Sequence, residues 1–143
     1  MSIPDVMKIY KDYGQLKSGP KAELRRVAKP KDLTEISHFY RLLKGCKTSE
    51  RMQRIVYCLP LINHKSDGDS LGQALAKANI NEKRLIVIVR SESPNDLIQL
   101  RRLLSMTKPT LDWAKMATTL YWWNDLAKRK LLEDYFYYQN TEK

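Results

Sequence analysis

The chain has 143 residues, 43% apolar and 29% charged, the balance of a one-domain globular protein and not of a disordered tail. Its 26 lysines and arginines against 16 aspartates and glutamates leave a net charge of +10, an excess that costs self-repulsion and points to a polyanionic partner. The excess is uneven: 13 basic and 6 acidic residues fall in 1–60, a balance of +7, against 13 and 10, a balance of +3, in 61–143.

Helical patterns dominate. The first, IPDVMKIYKDYGQL, sets Pro4 at an N1-like position and puts Val6, Ile9, Tyr10 and Tyr13 on one face. SGPKAELRRVAK starts at a Ser-Gly-Pro break and has to end before Pro30. Residues 32–44, DLTEISHFYRLLK, read as a third helix, stopped by Gly45 at the left-handed C′ position. TSERMQRIVYCL runs to Pro60. SLGQ, 70–73, is a capping box that opens a short helix, and SPND, 93–96, is a near-version with aspartate in the fourth place. Pro109 separates the helix after SPND from LDWAKMATTLYWW, and AKRKLLEDYFYYQ is the last helical pattern. LIVIV, 85–89, has the β-branched run of a buried strand, but no second alternating segment offers it a partner. It therefore reads as a helix buried all round. The expectation is an all-α fold, a compact bundle of about eight helices with short connections and no solenoid repeat. It forms a single helical domain over 1–143, divisible into an N-terminal lobe 1–60 and a C-terminal lobe 70–143.

Cys46 and Cys58 form no CxxC pair and fit reduced small hydrophobes. MSIPDVMKIYKDYG has no apolar signal core, and the longest uncharged stretch, IVYCLPLINH at 55–64, is about half a membrane span. A soluble, cytoplasmic chain without membrane contact is expected.

Catalytic constellations are missing. The two histidines, His38 and His64, have no His or Cys at ligand spacing. HKSDGDS, 64–70, crowds two carboxylates beside a histidine, yet it lacks the further ligands of a calcium loop and has the composition of a surface turn. There is neither a glycine-rich phosphate loop nor a G-x-S-x-G elbow. No catalysis, metal or cofactor is expected.

Two arginine pairs sit inside amphipathic segments. On a helical wheel, Leu97, Leu100, Leu103 and Leu104 of LIQLRRLL form one stripe; Arg102 points away from it and Arg101 lies on its border. In AELRRV, Leu24, Val27 and Ala28 face inward, Arg26 points out and Arg25 flanks the stripe. An exposed guanidinium suits phosphate through its planar, bidentate fork. The same pattern equally fits solvated faces with local salt bridges to Glu23 or Asp96.

Residues 70–90 imitate a DNA-reading helix-turn-helix, with a turn at Ala78-Asn79-Ile80 and a second helix starting near Asn81. Its supposed recognition helix is too apolar for a major groove, so only Lys83, Arg84 and Arg90 at its ends are placed to meet phosphates. A sequence-specific duplex-binding protein is the alternative reading. The aromatic runs LYWW, 120–123, and DYFYY, 134–138, read as core, with base stacking as the competing use.

AELRRV, HFYRLL, IVYCLP, SLGQALA, INEKRL, LIQLRRLL, LDWAKMA and LLEDYF occur in the order found in one family. Through them the chain resembles, over nearly its whole length, the small-subunit (CasB) family of the type I-E CRISPR Cascade surveillance complex. The resemblance departs at the link PLINHKSDGD, 60–69, which is short for that family. It implies an all-helical, non-catalytic subunit without cofactor or small-molecule substrate. Its implied partners are the backbone and large Cascade subunits, a second copy of itself, and the R-loop that crRNA forms with target DNA. The implied role is to hold the R-loop open by contacts to the DNA, notably the displaced non-target strand. The family's basic faces fall on Arg26, Arg84, Arg90 and Arg102, with Lys47 as a further carry-over; Arg25, Arg101 and Lys83 adjoin them. The resemblance settles the arginine pairs in favour of phosphate.

Overall fold

In the computed structural model, which describes residues 5–141, Asp5 caps the first helix by accepting the Lys8 amide at 3.1 Å. That helix, α1 (Val6–Gly14), buries Val6 and Ile9 and half-buries Tyr10 and Tyr13, the face given by its sequence spacing. The expectation for Pro4 lies outside the described residues. The second helix, α2 (Ser18–Arg25), takes Pro20 in its first turn, where a missing N–H is tolerated, and buries Leu24. It stops at Arg25. Arg26 is its C-cap, and Ala28, expected to face inward, is exposed.

Residues 32–44 do not form one helix. A 3-10 helix (Pro30–Glu35) is followed by α3 (Ser37–Leu42), with Ile36 extended between them at φ −107° and ψ 119°. Leu33 and Phe39 are both fully buried, yet on a continuous α-helix six residues apart they would point about 120° away from each other. The break lets both turn inward. Gly45, at φ +87°, takes the left-handed conformation, but α3 is capped at Leu43, so the glycine stands one residue past the C′ position expected of it.

Helix α4 (Glu50–Cys58) is the central element: Met52, Ile55, Val56, Tyr57 and Cys58 are all buried, and Ser49 caps it. A 3-10 turn (Leu59–Leu61) follows at Pro60. Helices α5 (Leu71–Lys77), α6 (Glu82–Arg90) and α7 (Asn95–Thr107) come next, and α8 (Trp113–Tyr121) and α9 (Asp125–Thr141) end the described chain. Ser70 caps α5 by accepting the Gln73 amide, the first half of the capping box that SLGQ predicts. Helix α5 pairs most extensively with α9, and Gly72 makes this possible: a Cβ there would stand 2.7 Å from the Asp134 Cβ and the Leu131 carbonyl oxygen. LIVIV is helical but not buried all round. Leu85 and Ile88 pack inward against α7 and α9, while Val87 is 48% exposed. SPND is no capping box, because α7 has no side-chain cap and Asp96 turns inward.

The chain is mostly helical, but it contains one small sheet that its sequence conceals. Strands β1 (Asn63–Asp69) and β2 (Thr110–Leu111) pair in parallel with an irregular register between His64 and Asp69. NHKSDGD lacks strand propensity; tertiary contacts hold it instead. Its amides donate to the Pro109 carbonyl, the Tyr10 hydroxyl and the Asp112 carboxylate at 3.0, 3.0 and 3.1 Å. Gly68 passes so close to β2 that a Cβ would stand 3.1 Å from the backbone of Leu111 and Asp112. Buried side chains from α1 through α9 join in one hydrophobic cluster. Among the described residues no helix is long and apolar enough to cross a membrane.

Candidate nucleic-acid interface

The two arginine pairs meet in space, through a residue that does not reach the surface. Arg101, on α7, is only 9% exposed. Its two terminal nitrogens donate to the backbone carbonyls of Arg25, an orphan acceptor in the last turn of α2, and of Val27, just past the Arg26 cap. The guanidinium lies 4.4 Å over the Tyr57 ring, and the Tyr57 hydroxyl donates to the Ala28 carbonyl at 2.9 Å. A cation suits the negative end of a helix, so Arg101 anchors this end and fixes where Arg25 and Arg26 project. The expected border guanidinium lying along the surface is therefore corrected: at this position the apolar face closes over the side chain.

Arg25, Arg26 and Arg102 are exposed. Burial pushes the Tyr13 hydroxyl pKa up, and the charges of Arg25 and Arg101 partly offset this. Burial likewise raises that of Tyr57, against Arg101 and Arg102. Arg25 of α2 and Arg101 of α7 thus both act on Tyr13. Burial drives the neighbouring Cys58 thiol up to about 12, so it stays protonated. Arg84, at the start of α6, reaches over to α7, where its guanidinium meets the Met106 sulfur at 3.2 Å, one helical turn beyond Arg102. Lys21, on α2, stands 5.9 Å over the Tyr13 ring and adds a cation that the sequence did not single out.

None of Arg25, Arg26, Arg84 or Arg102 makes a salt bridge among the described residues. The competing local pairing with Asp96 fails on geometry. Asp96 is 2% exposed and is spent on Lys128, at 2.8 Å, and on the Trp123 indole N–H, at 2.9 Å. Lys83 and Arg90 are also exposed, on α6, where Asn81 caps the helix through the Lys83 amide. Arg90 lies about 120° around that helix from Arg84, so the two address different directions. Lys47 stands apart, exposed before α4 on the rim of another cleft.

The helix-turn-helix imitation is real in its backbone: Asn79 takes φ 57° between α5 and α6. Helix α6, however, is packed against both α7 and α9, which flank the surface a recognition helix would need. His64 is absorbed by structure, its Nδ1 accepting the Trp113 amide at 3.0 Å. Among the described residues no group of three or more histidine, cysteine or acidic side chains is arranged to hold a metal.

Residues 20–136 match the family described as CRISPR-associated protein Cse2. The CRISPR system Cascade subunit CasB of Escherichia coli K12 is 39% identical over 147 aligned positions, which cover 92% of each chain. A chain in the crystal structure of E. coli Cascade bound to a PAM-containing dsDNA target superposes with a TM-score of 0.92 at 37% identity, covering 98% of this chain and 99% of that one. These matches bear out the resemblance read from the eight segments, and the chain belongs to the CRISPR-associated Cse2 family.

Proposed function

We propose that this protein is a non-catalytic Cascade subunit that steadies the R-loop by sequence-independent phosphate contacts to the displaced non-target strand and adjacent target DNA. The observation that carries this reading is a set of exposed arginines without salt bridges among the described residues: Arg25 and Arg26 at the end of α2 that Arg101 holds, Arg102 on α7, and Arg84 of α6, which reaches α7 at Met106. Family membership and the likeness to a chain of DNA-bound E. coli Cascade support it. The energetics also fit. R-loop formation exchanges one duplex for another at nearly balanced free energy, so backbone contacts to the freed strand can tip it without reading bases. Arg90, Lys83 and Lys47 extend the cationic surface to other faces, while Arg101 acts by holding α2 in place.

The test is single-strand and duplex affinity of the full chain across salt concentrations, with scrambled sequences as controls. Weak binding that falls linearly with the logarithm of salt, alike for all sequences, supports the proposal. Marked preference for one duplex sequence would replace it with the helix-turn-helix reading, for which the turn at Asn79 is the favouring observation. Metal-dependent strand cleavage abolished by a point variant would overturn the non-catalytic part.

A further inference from the structure

Of the three tryptophans, Trp113 is fully buried and Trp123 half-buried, yet Trp122 is 43% exposed. Its ring forgoes the burial that stabilises the other two, contrary to the expectation of a core role for the whole LYWW run. It is nonetheless held in place. The Arg51 guanidinium, from α4, lies 4.7 Å from the Trp122 ring centroid and 5.1 Å from that of Tyr121. The two rings meet edge to face at 5.0 Å and 77°. Beneath them Arg54 donates to the Leu120 and Tyr121 carbonyls, both at 2.7 Å, a charge-assisted cap on the end of α8 that presents Trp122.

Arg51 and Tyr121 also line a cleft of about 800 Å³, with Lys47, Glu50, Arg54 and Asp5 among the other lining residues. Lys47 is exposed and makes no salt bridge among the described residues. A fixed, solvent-facing indole stacked with a guanidinium that also lines a cleft carrying an ammonium is the chemistry that takes an unstacked base and its phosphate. Trp122 does not line that cleft, so a base stacked on its ring lies outside it; the Asp5 and Glu50 carboxylates disfavour phosphate inside the cleft and leave Lys47, on its rim, as the cation to pair it.

We infer that Trp122 and Arg51 form a stacking platform for a base of single-stranded nucleic acid, with Lys47 pairing the adjoining phosphate. This rests on the strand-binding reading above and extends it from phosphates to bases.

The test compares the full chain, and its Trp122→Phe, Trp122→Leu and Arg51→Ala variants, on two oligonucleotides of equal length and charge, one intact and one abasic throughout. At fixed salt the parent chain should bind the intact strand about 5- to 150-fold tighter for each stacked base. Trp122→Phe should keep most of that advantage, and Trp122→Leu, which retains apolar bulk, should lose it without changing the salt slope. Arg51→Ala should reduce it. Equal affinity of the parent for both strands would overturn the platform, while salt-dependent binding of the abasic strand would leave the phosphate reading standing. No binding of either strand would overturn both. If Trp122→Leu kept the base advantage but lost assembly with other Cascade subunits, the ring would be a protein anchor and the inference would fail.

Discussion

Arg101 lies 4.4 Å over the Tyr57 ring while it donates to the Arg25 and Val27 carbonyls, so one buried side chain ties α7, α4 and the end of α2 together. Its neighbour Arg102 is exposed and makes no salt bridge among the described residues. Adjacent arginines thus carry opposite tasks. Arg101→Ala should lower folding stability by about 2–3 kcal/mol, because two helix-end carbonyls lose a charged donor. Arg102→Ala should change it by no more than about 0.5 kcal/mol. Denaturant unfolding of the two variants checks this; equal losses would mean that Arg101 is not the anchor.

Phosphate contact has its own signature. If Arg26 and Arg102 meet phosphates of a single strand, each alanine variant should flatten the slope of log affinity against log salt by about 0.7, alike for all sequences. A sequence-dependent loss would mean base reading.

The Asp96–Lys128 pair, at 2.8 Å with both side chains under one-tenth exposed, is a buried charge pair that also holds Trp123 and the Ser91 carbonyl. Lys128→Met alone strands a buried carboxylate and should cost about 3–5 kcal/mol. Adding Asp96→Asn should restore a large part of that loss. Additive costs in the double-variant cycle would show that the pair is not coupled.

Gly72 reverses a general rule. Glycine to alanine inside a helix ordinarily gains about 1 kcal/mol. Here the new methyl group would meet Asp134 and Leu131 of α9 at 2.7 Å, so Gly72→Ala should instead cost about 1–3 kcal/mol. A raised melting temperature would contradict the close α5–α9 approach.

Asp112 caps α8 through the Ala114 and Lys115 amides and also accepts from Asp67 in β1. Burial pushes its carboxyl up, but these three hydrogen bonds and the Lys115 charge outweigh it and hold the pKa below the ordinary value. The folded state therefore favours the ionised form. Its stabilisation is full above the unfolded value of about 3.9 and is lost as pH falls through the lower folded value. Asp112→Asn should make stability less pH-dependent below about pH 4. Asp112→Ala should cost about 1 kcal/mol at neutral pH. An unchanged acid profile in the asparagine variant would refute the assignment.

The helical body was legible because its signals are local: Ser49, Ser70 and Asn81 do cap the helices they precede. The sheet was not legible, because Tyr10, Pro109 and Asp112, far away in sequence, hold NHKSDGD extended. The arginine pairs were legible as an exposed and a border position, but the wheel could not show that the carbonyls of α2 would draw Arg101 inward. Asp96 read as a surface charge open to a local salt bridge because nothing in its own segment announces Lys128 as a buried partner.

The most direct test of the account is R-loop formation by a Cascade complex assembled with this subunit carrying Arg26→Ala or Arg102→Ala, measured on a double-stranded target and on the target strand alone. Only the duplex releases a strand to be trapped. The account predicts weaker binding of the duplex target and nearly unchanged binding of the single strand. Equal defects on both would mean that these arginines hold subunits together, and would contradict it.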